Sequence, residues 1–418
     1  ANRRSTVNPF DEGSSTDNYI KAGFDFMSGG FGDLSADVSY RNRSNDAVFP
    51  DSISPFATDT NLKTWGFAPK YVLNSEALNR KNTLVTGVDL YWSEQDIDSY
   101  GSFFIPISTQ TGYSNITRDS IGLYFNDEYA LKENLIISLG ARHEKVRYNL
   151  AQVDLTGFLA PLDEEMSDSN NAYNAGLTYI YSKKSSVFLR ANRSFRFPLT
   201  DELVYIDWGT FSYKANVNLK PQTGKHYETG VRHYFTDNIS GSITFFRAEI
   251  KNELFYNPST FGNENHPETL HEGIEIGCRA KLFDKLTIFG NFTYEDAEFE
   301  KAPYKGNDIP AVPRYKGNFG FRINDLATPG LTLSADYNYT GSSHVISDQA
   351  NNFDKLDSYY TIDTKLAYKY KMLNAFVGVN NLTGQKYSEY GVMDTFLTKR
   401  NFYPAPERNF FAGIQFEF

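Results

Sequence analysis

The chain has 418 residues, a formal net charge of -10 at pH 7 and one cysteine, Cys278. The acidic balance offers no basic excess to phosphates and argues against a general nucleic-acid binder, and a lone cysteine excludes an intrachain disulfide framework. Mean hydropathy is -0.48 and no run approaches the roughly 18 apolar residues of a membrane helix, yet aromatic residues reach 16%, with 29 Tyr and 34 Phe.

A polar average with many aromatics is what alternating strands with Tyr and Phe girdles produce, so only a helical membrane protein is excluded. Six His and one Cys, scattered, leave no metal site at ligand spacing, and no cofactor is expected. No nucleophile has a base beside it at recognisable spacing, so no catalytic residue is assigned and no enzyme is expected. The chain opens on Ala1-Asn2-Arg3-Arg4 with no charged-then-apolar leader and is read as a mature form or a fragment.

Strand patterns recur from residue 18 onward. They cover 18–28, 33–43, 61–72, 83–93, 117–130, 134–148, 171–182 and 186–195. They continue at 224–235, 239–252, 269–282, 286–298, 312–324, 330–342, 358–370, 373–382 and 408–418. Links within pairs are short and carry Asp, Asn, Gly and Lys, as at 131–134, 183–186, 236–238 and 284–285, which suits tight antiparallel turns. Intervening links are long: 44–60, 94–116, 149–170, 196–223, 253–268, 299–311, 343–357 and 383–407. Strict short–long alternation predicts a transmembrane antiparallel up-and-down β-barrel, an all-β fold with tight turns on one side of the membrane and long loops on the other.

Individual strands agree. Over 331–339, Leu331, Leu333, Ala335, Tyr337 and Tyr339 oppose Thr332, Ser334, Asp336 and Asn338. Over 274–282, Ile274, Ile276, Cys278, Ala280 and Leu282 oppose Glu275, Gly277, Arg279 and Lys281. A one-residue slip would turn Arg279 and Lys281 to lipid at roughly 2–4 kcal/mol each near the midplane, so register is well specified. Cys278 is expected to face lipid and be inert. The last strand sets Phe410, Ala412, Ile414, Phe416 and Phe418 on one side, and the chain ends on an aromatic residue. Gly413, Phe416 and Phe418 resemble the C-terminal assembly signal of outer-membrane barrels, with a departure at Phe411, where a polar residue is usual.

Seventeen strands is an odd count, and single-chain bacterial barrels close with an even one. At least one further strand is therefore expected before Ala1, unless a strand in 200–215 was missed.

Three segments resemble TonB-dependent outer-membrane transporters. One is Ser194-Phe195-Arg196-Phe197-Pro198 with Asn218-Leu219-Lys220-Pro221 and Tyr227-Glu228-Thr229-Gly230-Val231; Gln222 stands where Glu is common. The others are Val379 to Tyr387 and Pro406-Glu407-Arg408-Asn409-Phe410. The resemblance is strong over the C-terminal two-thirds and rests on strand pattern alone before that. It implies that the whole chain is part of a 22-stranded barrel whose plug domain and first strands lie outside this sequence. It also implies active import of a scarce chelate, a ferric siderophore first among them, energised by the TonB complex through the plug. Outer-membrane lipid, lipopolysaccharide and the barrel assembly machinery are the further partners, and the location is the bacterial outer membrane.

Substrate contacts are expected from aromatic loop residues: Tyr100, Phe103, Phe104 and Tyr113 in 94–116, and Tyr205, Trp208, Phe211 and Tyr213 after Pro198. The alternative for these rings is a girdle at the outer interface. Haem receptors of the family carry a His between the two motif halves, and none lies between Pro198 and Asn218. Asp163, Glu164, Glu165 and Asp168 could bind Ca²⁺ or bridge lipopolysaccharide cations, against the plainer reading of a solvated loop. The rival function is a passive porin or structural barrel, for which the 196–223 link is the candidate inward-folded constriction.

Overall fold

The computed structural model describes residues 9–27, 30–50, 55–102, 104–207, 212–257, 262–393 and 398–417. The strands of the first half are β1 (Glu12–Met27), β2 (Asp33–Phe49), β3 (Phe56–Ala77), β4 (Arg80–Ser102), β5 (Ile105–Lys132), β6 (Leu135–Asp154), β7 (Leu162–Ile180), β8 (Ser186–Arg196), β9 (Val204–Asp207) and β10 (Ser212–Ala215). Those of the second are β11 (Gln222–Tyr234), β12 (Ile239–Asn257), β13 (Gly262–Leu282), β14 (Leu286–Phe299), β15 (Tyr315–Ile323), β16 (Leu331–Thr340), β17 (Tyr359–Tyr370), β18 (Leu373–Asn380), β19 (Ser388–Met393), β20 (Arg400–Pro404) and β21 (Asn409–Phe416). Seventeen of them belong to one sheet; β9–β10 and β19–β20 are separate two-stranded hairpins within the long links. The segment 200–215 therefore holds strands, but not strands of the main sheet. No helix is long and apolar enough to cross a membrane, which says nothing of strands.

The chain divides into two compact units. In the first (Ala1–Gly176, Asn192–Gly224 and Asn252–His266), β1 to β6 form an antiparallel ladder in sequence order. The apolar face runs across it through cross-strand rows such as Val38↔Phe67↔Leu90↔Ile121. Val38, Phe67, Ile121, Leu123 and Phe125 are all exposed large hydrophobics. So large an apolar surface is stable against lipid rather than water. An aromatic row, Tyr40↔Trp65↔Trp92, borders it, and beyond that row the same face turns polar with Asn42, Lys63 and Glu94.

The second unit (Leu177–Ala191, Lys225–Lys251 and Pro267–Phe418) carries the ladder from β13 through β18 to β21. One row reads Cys278↔Gly290↔Phe319↔Tyr337↔Ile362, and the neighbouring row on the other face reads Gly277↔Asn291↔Asn318↔Asn338↔Thr361. The faces read from the sequence are the faces observed, and Cys278 is exposed on the apolar one. Asn318 donates to Asn338 at 2.7 Å and Asn338 to Asp363 at 3.1 Å, so the polar row is stitched side chain to side chain.

The C-terminal strand interlocks with its neighbour through paired glycines. On the polar face Gly413 lies opposite Phe376 and Gly378 opposite Phe411. A Cβ on either glycine would run into the facing ring. Phe411, the departure from the usual signal, thus fills the space that Gly378 leaves. Lys365 caps the arrangement, its ammonium 4.1 Å from the centre of the Phe376 ring. Phe410, Ile414 and Phe416 project from the opposite, apolar face, all more than 60% exposed; Phe418 lies outside the described residues.

One correction concerns four of the long links. Sheet hairpins continue well into 44–60, 94–116, 149–170 and 253–268, and β5 alone is 28 residues long. A membrane crossing needs only about 9–11 residues. Where a hairpin rises beyond the membrane both its faces are wet, so backbone pairing persists after the apolar alternation has gone.

Two outcomes test this fold. Gly413→Ala should cost about 1–3 kcal/mol in denaturant unfolding of the membrane-embedded protein. The cost should largely vanish in a Phe376→Ala background, because the ring causes it. Cys278 in intact outer membranes should resist a charged, membrane-impermeant maleimide and react once the protein is unfolded.

Candidate functional site

In its described residues, 196–207 and 212–223, the 196–223 link is not a free loop. It folds as a strap onto the polar face of β5 and β6 in the first unit. Phe197, Leu203 and Leu219 are buried with Ile116, Val146, Tyr148, Leu150 and Leu162, the largest apolar cluster among the described residues. Val204, Tyr213 and Ala215 of the β9–β10 hairpin pack against it. Burying a side chain of this size contributes roughly 1.5–3 kcal/mol, which is what holds an irregular segment against a polar wall.

Polar contacts set its path. The buried Tyr148 hydroxyl donates to the Pro198 carbonyl at 2.8 Å. The Arg196 guanidinium forks onto Glu202, both N···O distances being 3.0 Å, and Glu202 also accepts the Leu199 N–H at 2.7 Å. The fork thereby closes the turn Thr200–Glu202, a short 3-10 helix, and Thr200 donates to Gln95 on β4. On the return, the Lys220 N–H donates to the Asn265 side-chain oxygen at 2.8 Å and Asn265 donates back to the Lys220 carbonyl at 2.9 Å. Asn216 donates to the Asn263 carbonyl at 2.7 Å. Arg196, Phe197, Pro198, Leu219 and Lys220, noticed first as motif residues, are the anchors of the strap.

The strap also meets an outer turn. Ala160 bridges Ser212 in parallel, and the Tyr213 N–H donates to the Ala160 carbonyl at 3.1 Å. Asp154 organises that turn by accepting the N–H groups of Thr156, Phe158 and Leu159 at 3.1, 2.7 and 2.7 Å.

Beside the strap's base the polar face carries charges that pair among themselves. Arg142 reaches Asp89 at 2.5 Å and Glu144 at 2.7 Å, and Arg118 lies 3.9 Å from Glu144. Asp89, Arg142 and Glu144, with Tyr124, Asn126, Asn174, Asn192 and Ser194, line a cavity of about 610 Å³ whose wall also carries Phe125, Ala141, Ala172, Tyr173 and Phe195, room for a small molecule met by both polar and apolar groups. Sequence reading did not single out Asp89, Arg142 or Glu144. Each shows there only as one polar position among many, and register alone brings them together.

The expected aromatic rim is not gathered in one place. Tyr100 and Tyr113 are strand residues, not loop residues. They continue the face that carries Leu90, Trp92 and Ile121 below, so they stand on the side away from the strap; Tyr100 lies about 26 Å along β4 from Trp92 at 3.3 Å per residue. Phe104 sits at the hairpin tip, 90% exposed. Tyr213 packs into the strap's cluster, while Tyr205 pairs across the hairpin with Lys214. Phe103, Trp208 and Phe211 lie outside the described residues. The acidic run at 163–168 lies in β7, not in a loop; Glu165 meets Arg147 at 3.1 Å. No group of three or more His, Cys, Asp or Glu among the described residues could hold a metal ion.

In the second unit the long links lock together instead. Asp308 takes Lys355 at 2.5 Å and Arg314 at 3.0 Å, and its backbone exchanges two hydrogen bonds with the Asn351 side chain, at 2.7 and 3.0 Å. Ala311 donates to the His344 carbonyl at 2.8 Å and Ile346 to that of Gly391 at 2.8 Å, tying in β19–β20. Burial opposes ionisation of Asp308, but the Lys355 ammonium and the Arg314 guanidinium outweigh it and hold the carboxyl below its ordinary 3.8. A carboxyl depressed by folding contributes stability that is fully present above its unfolded value and is lost as pH falls through the folded one. Amide exchange over 300–314 and 341–357 should therefore be slow and flat above about pH 4 and accelerate on acidification below it, after correction for intrinsic rates. In Asp308→Asn that acid step should disappear.

The model of the family "TonB dependent receptor-like, beta-barrel" matches residues 1–382. Among curated proteins, the chain is 25% identical over 370 residues to the ferrichrome outer membrane transporter/phage receptor of Escherichia coli K12, covering 81% of this chain and 46% of that protein. It is 26% identical over 282 residues to the metal-pseudopaline receptor CntO of Pseudomonas aeruginosa, covering 65% and 38%. The ferric-catecholate import receptor Fiu of E. coli K12, in its closed form, superposes with a TM-score of 0.78 at 17% identity, over 98% of this chain and 65% of that one. The chain thus spans less than half the length of these two curated relatives.

Proposed function

The chain belongs to the TonB-dependent receptor-like β-barrel family, and on that premise we propose that the whole protein is an active transporter for a scarce metal chelate, with a ferric siderophore the foremost candidate. Its place is the outer membrane, and its family consists of transporters and receptors rather than enzymes. The observation that carries the reading is the strap. An anchored segment lies over the polar wall beside a 610 Å³ cavity of mixed polar and apolar lining, which suits selective passage of a small molecule.

In this reading outer turns and hairpin tips capture the chelate, a plug domain is pulled by the TonB complex, and the chelate moves along the polar face. Lipopolysaccharide around the outer rim and the barrel assembly machinery are the remaining partners. The same strap also suits the porin alternative, since an inward-folded segment is how a passive pore narrows. Energy dependence separates the two. Cells producing the full-length protein should accumulate radio-iron from a ferric siderophore, and accumulation should cease when TonB is deleted or the protonmotive force is collapsed. Uptake that persists without TonB, with steady single-channel conductance in planar bilayers, would establish the porin instead.

A further inference from the structure

Between the cavity and the strap the polar face carries two acids, Asp89 and Glu144, and two guanidiniums, Arg142 and Arg118, which share their contacts unevenly. Asp89, Gly122 and Glu144 are successive partners across β4, β5 and β6. Gly122 leaves a gap between the two carboxylates, and the Arg142 guanidinium fills it; a Cβ on Gly122 would strike that guanidinium. Arg142 takes both acids at short range, Asp89 through Nη1 at 2.5 Å and Glu144 through Nη2 at 2.7 Å. Further along the same strands, Ser93, Arg118 and Tyr148 are partners. Arg118 is left under-used: its Nη2 is 3.9 Å from Glu144, outside hydrogen-bond range, and its buried Nε has no hydrogen-bond partner among the described residues. It donates instead to the Tyr148 hydroxyl and opposes the upward push that burial gives this phenol, while Asp168 and Glu202 act the other way. The same hydroxyl holds the strap, donating to the Pro198 carbonyl at 2.8 Å. A guanidinium donating to the phenol oxygen polarises its O–H and strengthens that bond.

We infer that Glu144 and Arg118 relay the state of the cavity to the strap, with Arg118 as the positioning residue that acts through Tyr148. The inference rests on the chelate-transport reading and adds to it a means by which a filled cavity loosens the segment beside it. A ligand that offers oxygen atoms to Arg142 draws its guanidinium away from Glu144. A carboxylate this enclosed is costly to leave unpaired, so Glu144 takes the nearest other cation, Arg118. Arg118 turns from Tyr148, and the Tyr148–Pro198 bond weakens. Phe197, Leu203 and Leu219 keep the strap docked, so the change is one of mobility, not detachment.

Amide exchange over 197–203 and 213–220, followed in the full-length protein in detergent micelles, reads the strap directly. Arg142→Gln imitates the withdrawn guanidinium and should accelerate exchange there about three- to tenfold. Adding Glu144→Gln removes the pull on Arg118 and should return the strap to its wild-type rate. In Arg118→Gln and in Tyr148→Phe the strap should already be fast, and Arg142→Gln should change it no further. Exchange over 286–294 in the second unit should stay at the wild-type rate throughout and confirms that the variants fold. The ligand arm uses a ferric tris-catecholate, a ferric trihydroxamate and ferric citrate: the complex that wild-type cells import should accelerate strap exchange in the wild type and not in Arg118→Gln. Additive effects of Arg118→Gln and Arg142→Gln, or a fast strap that Glu144→Gln fails to slow, would mean general loosening of the wall and overturn the relay. An imported complex that leaves strap exchange unchanged would overturn it as well. None of these results touches TonB-dependent uptake, so the transport reading would stand. Failure of the wild type to import any of the complexes would remove the transport reading and this inference with it.

Discussion

No backbone N–H or C=O can be left without a partner in a bilayer, and everything else in this chain follows from that constraint. It forces the membrane-crossing segments into sheet, and sheet gives every strand two faces with a period of two. Once one face must meet lipid, the other inherits all the charge. Arg279, Lys281, Asp336 and Asp363 occupy polar-face positions because the alternative is hydrocarbon. The same logic explains the aromatic row Tyr40–Trp65–Trp92, where the apolar face ends and the hairpins continue into water with polar residues on both sides.

A polar wall of this kind has no dry core of its own. The strap supplies a local one. It brings Phe197, Leu203 and Leu219 to Ile116, Val146, Tyr148 and Leu150, residues that stand on the polar face of their strands but are themselves apolar or carry one hydroxyl. Ile116, Tyr148 and Leu150 lie beyond the level of Trp92, and Val146 lies beside it, at the end of the part of the strand that must cross a membrane. The strap is therefore placed by sequence on two sides, its own apolar residues and an apolar patch waiting on the wall. The links of the second unit solve the same problem with charges and amide groups, through Asp308, Lys355, Arg314 and Asn351.

Much of the architecture was legible in the residues themselves. All seventeen sheet strands were located, with short turns at the expected places, and the faces of 274–282 and 331–339 emerged as read. Strand ends were misplaced on the long-loop side because the signal used to find strands, apolar alternation, reports burial against lipid and not backbone pairing. The hairpin over 204–215 lay below that signal altogether, its strands being only four residues long.

The candidate site divides along the same line. Composition and alternation alone determine that this chain is a sheet with one lipid face and one polar face, since each strand declares its faces locally. The motif residues around Pro198 and Leu219 likewise announce a special segment. Which polar residues meet is another matter. Asp89 and Arg142 are 53 positions apart, and Tyr148 and Pro198 are 50 apart. Their contacts depend on the register of several strands and on the fold-back of a link, both of which are sums over long-range pairings that no local window contains. Tyr205 and Tyr213 were indistinguishable as loop aromatics in sequence. Only the docking of the hairpin decided that one is packed against the wall and the other is turned away from it.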